Sequence, residues 1–328
     1  MRVGDRVGSV FERHYSHVGS VRCIEKIESV STNPNYFVST DSGDFVLKQN
    51  TSADSLYQGR GFERLQVVSR AVYQLSKKGL PVEEILLTDD GEHLVVDEGS
   101  VFRLYRFIRG REFNGTLSDI KHAAMAAGRF HTFAGESIEA DISSRLRTFH
   151  FPYPLTETFG RFESFKGLLS RMGLTAKDLA FIEDMATFSL PFAKESFCPT
   201  LINLDFHPGN ALYLENDEIM IIDLESIMFG PLFKCLAFSI LRFALWSADP
   251  DPRVRLADTV RSWTEVYEHE FSIAPDKQIY GRMIYIEIEK IFRIMARIQD
   301  TGQYVNFLPN ISNRHVPNVQ LLAKLVSV

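Results

Sequence analysis

The sequence has 328 residues, 45% of them hydrophobic and 24% charged, which is ordinary for a globular protein of about two domains. Its formal net charge of −6 argues against a general nucleic-acid-binding protein, because such proteins usually carry a basic surface. The three cysteines, Cys23, Cys198 and Cys235, lie far apart without a CxxC pair, so neither a disulfide framework nor a zinc site is expected and a reducing cytoplasm is favoured.

The N-terminal part of the chain favours strands around one helix. Segment 62–78 places apolar residues at spacings of three and four, which predicts a helix. Gly79 ends this helix, and Pro81 prevents its continuation. Runs of β-favouring residues separated by turn residues predict strands on both sides of the helix; they are 21–29, 36–40, 44–49, 84–87, 93–97 and 101–107.

The rest of the chain favours helices. We expect helices over 118–133 and from Thr175, where Thr-Ala-Lys-Asp is typical of a capped start, and a nearly continuous helical pattern after Pro231. A short hairpin is predicted from 211–214 and 219–222. The most apolar stretch, just after Pro231, is interrupted by basic residues, so we interpret it as a core helix and expect no membrane span. No signal-peptide stretch opens the sequence.

Acidic and amide side chains gather in one short part of the sequence. Asp205 and Asn210 lie in NLDFHPGN, and Asp223 follows the predicted hairpin. Because a hairpin brings its ends together, Asn210 and Asp223 are expected to face one point. Phosphoryl transfer needs a carboxylate near the attacking hydroxyl, oxygen ligands for magnesium and a cation on the phosphates. Lys48, at the end of FVLK, is placed for the last of these. Taken alone, Asp, Pro, Gly and Asn also favour ordinary turns.

Several segments in a fixed order resemble the aminoglycoside phosphotransferase and choline kinase superfamily, homoserine-kinase-like members included. They are STNPNYFV, FVLK, KGLPV, LDFHPGNALYL, IIDLES and GPLFKCLA. The resemblance implies an α+β, two-lobed protein-kinase-like fold with the nucleotide in the cleft. The small antiparallel-sheet N-lobe would comprise residues 1–109, and the larger, mainly helical C-lobe residues 110–328.

The resemblance also implies roles for single residues. Asp205 would be the catalytic base, and Asn210 and Asp223 would bind Mg2+. Lys48 would contact the α- and β-phosphates of ATP or GTP, with Glu63 as its expected partner. The other nucleotide contacts would come from a loop over the phosphates and from hinge backbone groups that meet the adenine; these residues are Ser31, Asn33, Asn35, Arg106, Phe107 and Ile108.

Two positions depart from the family pattern. Asn203 stands where the catalytic loop usually has a histidine, and Cys235 where a later segment usually has an aspartate. The histidine mainly packs the loop, so its replacement does not exclude activity. The cysteine removes a buried acceptor, which leaves the support of the loop open. Neither position touches phosphate or metal in the family.

Some acidic residues allow two interpretations. Glu225 either supports or binds the metal, or merely caps the next segment. Tyr285, Glu287 and Glu289 either line a substrate pocket or form a solvated helix face, and we expect the solvated face.

The sequence therefore predicts a cytoplasmic, Mg2+-dependent kinase that phosphorylates a hydroxyl of a small molecule, without nucleic-acid or membrane partners. A pseudokinase that holds nucleotide without transfer is the alternative, favoured slightly by Asn203 and Cys235. A protein kinase is a further alternative, against which the sequence has no His-Arg-Asp or Asp-Phe-Gly segment. The acceptor, the choice between ATP and GTP, and the oligomeric state stay open.

Overall fold

The computed structural model describes residues 3–28, 33–50, 60–149, 154–194, 199–273, 278–301 and 308–326. The chain divides into two compact units. The first comprises Met1–Asn114, Lys121–Phe149 and Pro208–Phe229, and the second comprises Gly115–Ile120, His150–His207 and Gly230–Val328. The first continuous stretch thus ends close to the boundary predicted at residue 109, and two later segments rejoin the first unit.

A six-stranded antiparallel sheet organises the first unit. Strands β1, β2, β3 and β6 follow one another across the sheet, and β4 and β5 both pair with β6. The strands are β1 Val21–Ile27, β2 Asn35–Thr40, β3 Asp44–Asn50, β4 Ile85–Leu86, β5 Val95–Asp97 and β6 Ser100–Arg106. Each lies within a few residues of its predicted range, because β-favouring residues fill the strands and turn residues separate them.

Four helices belong wholly or mostly to the first unit: α1 Val3–His14, α2 Gly61–Lys77, α3 Leu117–Ser137 and α4 Ala140–Leu146. Helix α1 was not predicted. Its Val7, Val10 and Phe11 are buried in one cluster with sheet residues that include Phe45 and Leu104. Helix α1 therefore covers one face of the sheet.

Helix α2 ends as the sequence predicts. Gly79 adopts φ +79°, a left-handed conformation that glycine takes without a steric penalty. The chain then turns, and Val82 forms a parallel bridge with Ile221. The turn thereby brings the residues after α2 to the hairpin β8 Ala211–Tyr213 and β9 Ile219–Ile221.

Helices dominate the second unit. They are α5 Leu155–Thr158, α6 Phe162–Arg171, α7 Ala176–Lys194, α8 Leu232–Trp246, α9 Pro252–Phe271, α10 Ile279–Thr301, α11 Leu308–Asn310 and α12 Val316–Val326, with one π turn at Ile311–His315. Strand β7 Thr200–Asn203 precedes the segment that carries Asp205, and β10 Ile227–Gly230, most of which belongs to the first unit, precedes α8.

The start of α7 is capped as predicted. The Asp178 amide donates to Thr175 Oγ1 at 3.2 Å, and the Thr175 amide donates to Asp178 Oδ2 at 2.9 Å. This reciprocal pair satisfies two backbone donors that a helix start leaves open. In the parts of the chain that the structure describes, no helix is long and apolar enough to cross a membrane.

Candidate functional site

Lys48 is buried at the end of β3 and contacts two carboxylates. Its Nζ lies 3.0 Å from Glu83 Oε2 and 3.2 Å from Asp223 Oδ1. The ammonium also lies 4.6 Å from the centre of the Tyr105 ring. Burial by itself would lower the pKa of Lys48, but Asp223 and Glu83 outweigh burial and raise it. Lys48 therefore stays charged, and we call Lys48, Glu83 and Asp223 the Lys48 cluster.

Glu83 enters the Lys48 cluster from the turn after α2. Its backbone amide donates to the carbonyl of Ile221 at 3.0 Å, and its Oε1 accepts from the amide of Leu224 at 3.3 Å. The side chain is 4% exposed, so its charge depends on Lys48 as a counter-ion. Glu83 thus joins Lys48 of the sheet to the segment that carries Asp223.

The predicted pairing of Glu63 with Lys48 is wrong. Glu63 lies in the first turn of α2 and pairs with Arg60 at 2.9 Å and with Arg145 at 3.5 Å. Its side chain is well exposed, and its carboxylate is taken by these two arginines. Glu83 takes the place that the sequence analysis gave to Glu63, because the chain turn after α2 carries Glu83 to the sheet.

The β8–β9 hairpin holds Asn210 and Asp223 at the same end. Ala211 pairs with Ile221 in the ladder, and the amide of Ile222 donates to the carbonyl of Asn210 at 3.0 Å. Asp223 follows with φ 58°, a left-handed conformation that is uncommon outside glycine and mildly strained. This turn leaves 45% of the Asp223 side chain exposed. The carboxylate is therefore both paired with Lys48 and open to a ligand.

Asn210 and Asp223 offer a small set of hard oxygen donors. Among the described residues, no group of three or more His, Cys, Asp or Glu side chains is arranged to hold a metal ion. Mg2+ is typically held by one or two protein oxygens together with substrate phosphates and water. The donor set at the hairpin end therefore fits Mg2+ that arrives with a nucleotide, and not a resident metal enclosed by protein.

The carboxylate of Glu225 neutralises a buried arginine. It pairs with Arg103, which is 1% exposed, and accepts from the side-chain amide of Asn50 at 3.3 Å. Arg64 on α2 adds a bond to the carbonyl of Ile227 at 3.1 Å. These contacts tie the segment after Asp223 to β3, β6 and α2. The interpretation of Glu225 as a support is thereby favoured over that of a simple cap.

The predicted hinge follows β6. The amide of Arg106 donates to the carbonyl of Glu84 at 3.0 Å, and the amide of Phe107 donates to the carbonyl of Asp44 at 3.0 Å. Both donors are thus used inside the protein. A backbone donor to the adenine is then expected from Ile108 or beyond, and the assignment of these residues stays a prediction.

The predicted phosphate loop precedes β2. Asn35 pairs with Lys48 in the β2–β3 register, and the Gln49 amide donates to the carbonyl of Pro34 at 3.0 Å. Asn33, which precedes Pro34, is half-buried. Ser31 lies outside the described residues. The end of this loop thus adjoins the Lys48 strand, while its phosphate contacts stay a prediction.

In the second unit, Asp205 lies between two buried anchors. The amide of Asp205 donates to Oδ1 of Asn203 at 3.1 Å, and Asn203 is 2% exposed. Phe206 packs against Phe243 at 5.4 Å and Trp263 at 6.5 Å between ring centres. The carboxylate of Asp205 is 43% exposed. The anchors fix the loop, and the carboxylate stays accessible.

The two departures from the family pattern contact one another. Sγ of Cys235 donates to the carbonyl of Asn203 at 2.9 Å. Burial raises the pKa of the Cys235 thiol to about 12, with Ser239 and Asn203 opposing. A neutral thiol is a donor, whereas an aspartate would be an acceptor. Cys235 therefore supports the loop through a different bond from the one that the sequence analysis regarded as lost.

The expected solvated face on α10 is wrong. Tyr285, Glu287 and Glu289 are 5%, 0% and 4% exposed. Tyr285 Oη donates to Glu289 Oε1 at 2.7 Å, and Lys234 pairs with Glu289 at 2.7 Å. Isoleucines separate these residues along α10 and are buried as well, so this stretch of the helix lies inside the protein. Its charges must then find partners inside the second unit.

Comparison with known proteins places this geometry in context. The model of the phosphotransferase enzyme family matches residues 24–267 of the chain. A spectinomycin phosphotransferase in complex with ADP and spectinomycin superposes with a TM-score of 0.68 at 15% identity, covering 97% of this chain and 98% of that one. The amicoumacin kinase hAmiN in complex with AMP-PNP, Ca2+ and Ami gives 0.67 at 12% identity, covering 96% of each chain.

A choline kinase, LicA from Streptococcus pneumoniae, superposes with a TM-score of 0.61 at 12% identity, covering 98% of this chain and 99% of that one. At such identities the likeness concerns the fold. The predicted α+β, protein-kinase-like fold is confirmed.

Proposed function

Because the chain belongs to the phosphotransferase enzyme family, we propose that it transfers the terminal phosphate of ATP or GTP to a hydroxyl of a small molecule with Mg2+. The Lys48 cluster carries this proposal. One buried cation meets two carboxylates, and one of these carboxylates, Asp223, stays half-exposed at the end of a hairpin. Such a pairing of lysine and metal-binding aspartate suits the triphosphate of a nucleotide.

Lys48 would hold the α- and β-phosphates. The two carboxylates keep its ammonium charged and fix its direction. Asn35, next to Lys48 in the sheet register, and Asn33 before it would bring polar groups to the phosphates. Arg106, Phe107 and Ile108 are proposed as the hinge for the base.

Asn210 and Asp223 would hold the metal. Magnesium would neutralise part of the phosphate charge as the bond to the leaving group breaks. Asp223 meets this need with a carboxylate that is already turned outward by its left-handed backbone. Asn210, at the same hairpin end, would supply its side-chain oxygen as a second ligand.

Asp205 would accept or orient the proton of the acceptor hydroxyl. A base in this role must be held firmly and must remain accessible. The bond from the Asp205 amide to Asn203 and the packing of Phe206 supply the support, while the carboxylate keeps its exposure.

The pseudokinase alternative depends on Asn203 and Cys235. Their hydrogen bond favours a supported loop over a damaged one, so we prefer the enzyme. A cytoplasmic location is also proposed, because Cys23 and Cys235 carry free thiols. Proteins of similar fold include a spectinomycin phosphotransferase and a choline kinase, which supports a small-molecule acceptor.

A transfer assay tests the proposal. The full-length protein is incubated with labelled ATP or GTP and Mg2+, with and without a panel of small alcohols. We expect label in at least one acceptor, dependent on Mg2+. Binding of nucleotide with Mg2+, combined with no transfer to any acceptor, would favour the pseudokinase. A lack of nucleotide binding would refute both readings.

A further inference from the structure

A buried network of charges joins α8, α10 and the π turn in the second unit. Glu287 is fully buried and accepts from Arg242 at 2.6 Å, from His315 Nδ1 at 2.7 Å and from Asn318 at 3.1 Å. Burial would raise the pKa of Glu287, but Arg242 and His315 hold it at about 2. Glu287 is therefore ionised, and its charge balances that of Arg242.

Lys290 lies one turn further along α10 without such a balance. Its Nζ lies 5.2 Å from the centre of the Phe238 ring, and it forms no ion pair or hydrogen bond with any residue that the structure describes. Burial first, and then Arg242 and Arg293, lower the pKa of Lys290 to about 7, while Glu287 and Asp205 oppose this. The neighbouring cations thus prevail over the neighbouring carboxylates.

Basic side chains outnumber the acidic ones on these two helices. The carboxylate of Glu287 forms an ion pair with Arg242. The carboxylate of Glu289 forms an ion pair with Lys234, and Arg293 also lowers its pKa. Among the residues that the structure describes, Lys290 therefore has no carboxylate paired with it, and any proton that it carries adds a positive charge. We call Arg242, Lys290 and Arg293 the cationic cluster.

Arg242 has unused hydrogen-bonding capacity as well. Its side chain is 2% exposed, and its Nη1 has no hydrogen-bond partner among the described residues. A buried guanidinium N–H without an acceptor costs free energy. Lys290, in contrast, keeps part of its surface exposed. A ligand can therefore reach the cluster at Lys290, whereas Nη1 of Arg242 is closed to solvent.

The cationic cluster belongs to the surroundings of Asp205. The charge of Asp205 acts on Lys290. Phe206, the residue after Asp205, packs on Phe243, the residue after Arg242 in α8. An acceptor whose hydroxyl meets Asp205 would therefore have its other end near Lys290.

We propose that the cationic cluster binds an anionic group, a carboxylate or a phosphate ester, of the phosphate acceptor. The inference rests on the proposed function and names the class of its substrate: an alcohol that carries a negative charge. An oxyanion would accept from Lys290, and the charges of Arg242, which lies on the same Phe238 ring, and of Arg293 would attract it. Choline, a cation, would meet repulsion in the same place.

Titration calorimetry with four alcohols of one skeleton tests the charge preference. The full-length protein, saturated with ADP and Mg2+, is titrated with glycerol, glycerate, glycerol 3-phosphate and 3-aminopropane-1,2-diol. At least one anion is expected to bind about tenfold or more tighter than the neutral and cationic members, a difference of about 1.4 kcal/mol. Equal binding of all four, tighter binding of the cation, or binding of neither anion overturns the proposal.

Variants of Lys290 test whether this residue causes the preference for anionic ligands. Lys290→Met should weaken binding of the preferred anion about tenfold or more, whereas Lys290→Arg, which keeps the charge, should stay within about threefold. Lys166→Met removes a lysine that pairs with Glu163 and Glu183 on the surface and should leave binding unchanged. Anion binding that survives Lys290→Met unchanged would contradict the assignment.

Proton uptake separates a direct role of Lys290 from a structural one. At about pH 8 the free protein has Lys290 largely neutral, and a bound anion would raise its pKa, so that binding takes up a proton. Titrations in buffers of different ionisation enthalpy should show uptake in the wild type and none in Lys290→Met. Absence of uptake in the wild type would contradict direct contact. Failure of the proposed function would show separately, as a lack of Mg2+-dependent nucleotide binding.

Discussion

The Lys48 cluster and the cationic cluster are opposite solutions to the burial of a lysine. Lys48 meets two carboxylates, Glu83 and Asp223, and its pKa is raised. Lys290 lies within the electrostatic influence of Arg242 and Arg293, and burial first and then these arginines lower its pKa to about 7. The first arrangement has a surplus of negative charge and the second a surplus of positive charge.

The difference shows which sign of charge each of the two clusters lacks. On the proposed function, the surplus of carboxylate around Lys48 would be balanced by a divalent cation that comes with phosphates. A surplus of cations around Lys290 is balanced by an anionic group of a ligand. Buried charges that are incompletely paired favour binding of the missing charge, because pairing removes part of the desolvation penalty.

The largest effect is expected when the carboxylate of Asp205, the proposed base, is removed. Asp205→Ala should lower the rate of transfer by about 10²–10⁴-fold, the usual contribution of a positioned base. Nucleotide binding should stay within about threefold, because the Lys48 cluster is unchanged. Turnover and equilibrium binding of ATP with Mg2+ are the measurements. Wild-type turnover in the variant would refute the role of Asp205.

The metal-binding role of the first region is tested by Asp223→Asn. Loss of the carboxylate should reduce the gain in nucleotide affinity that Mg2+ brings by about tenfold or more, or about 1.4 kcal/mol. Asp217→Asn is a matched control, because Asp217 lies in the turn of the same hairpin and has φ 61°. Calorimetry with and without Mg2+ decides, and an equal gain in both variants would argue against Asp223.

The composition of the Lys48 cluster predicts a stability difference. Glu83→Gln should lower the free energy of unfolding by about 2 kcal/mol, because the buried ammonium loses one of its two counter-charges. Glu63→Gln should change it little, since exposed ion pairs contribute little. Urea denaturation of both variants gives the comparison. A larger loss for Glu63→Gln would restore the pairing expected from the sequence.

The pH dependence of the free energy of unfolding should reveal the lowered pKa of Lys290. Its folded pKa is about 7, whereas an unfolded lysine titrates near about 10.4. Between these values the unfolded state binds more protons, so the penalty from Lys290 is full below about pH 7 and fades as pH rises toward about 10. Lys290→Met should therefore gain stability over the wild type at low pH, and this gain should shrink as pH rises.

Urea denaturation at several pH values between about 6.5 and 9.5 measures this change. The groups that act on Lys290 are Arg242, Glu287, Arg293 and Asp205, and all are retained in Lys290→Met. A stability difference that is independent of pH would show that Lys290 titrates like an ordinary surface lysine.

The smallest effect is expected at Asn203. Asn203→His should change turnover by less than about tenfold, or about 1.4 kcal/mol of barrier. A histidine nitrogen can accept from the Asp205 amide in place of Asn203 Oδ1, and the carbonyl of residue 203 still receives the Cys235 thiol. Steady-state kinetics of both proteins decides. A gain far above tenfold would mean that the natural protein is impaired, and would favour the pseudokinase.

Local patterns predicted the elements of the fold well, since turns and periodicity act over short distances. The hairpin at 211–221 and the end of α2 at Gly79 agree with the structure. Helix α1 was missed although Val7, Val10 and Phe11 have helical spacing. This spacing of three and four residues is itself typical of a helix.

The partner of Lys48 could not be predicted in the same way. Glu83 reaches it through a bridge between Val82 and Ile221, residues far apart in the chain, and no period in the sequence reports such a pairing. Burial of Glu287 was also missed, because charges on a helix usually indicate solvent. The isoleucines around it in α10 were the available signal, since a helix that is apolar on every side is buried.

The backbone of Asp223 also restricts which substitutions the protein tolerates. At φ 58°, asparagine and aspartate are accepted more readily than other residues with a side chain. Glutamate keeps the charge but fits this conformation poorly, whereas asparagine keeps the conformation and loses the charge. Asparagine thus disturbs the backbone at this position least, although it removes one of the two counter-charges of Lys48. On the proposed function, this one substitution would remove the metal carboxylate while leaving the backbone of the hairpin end intact.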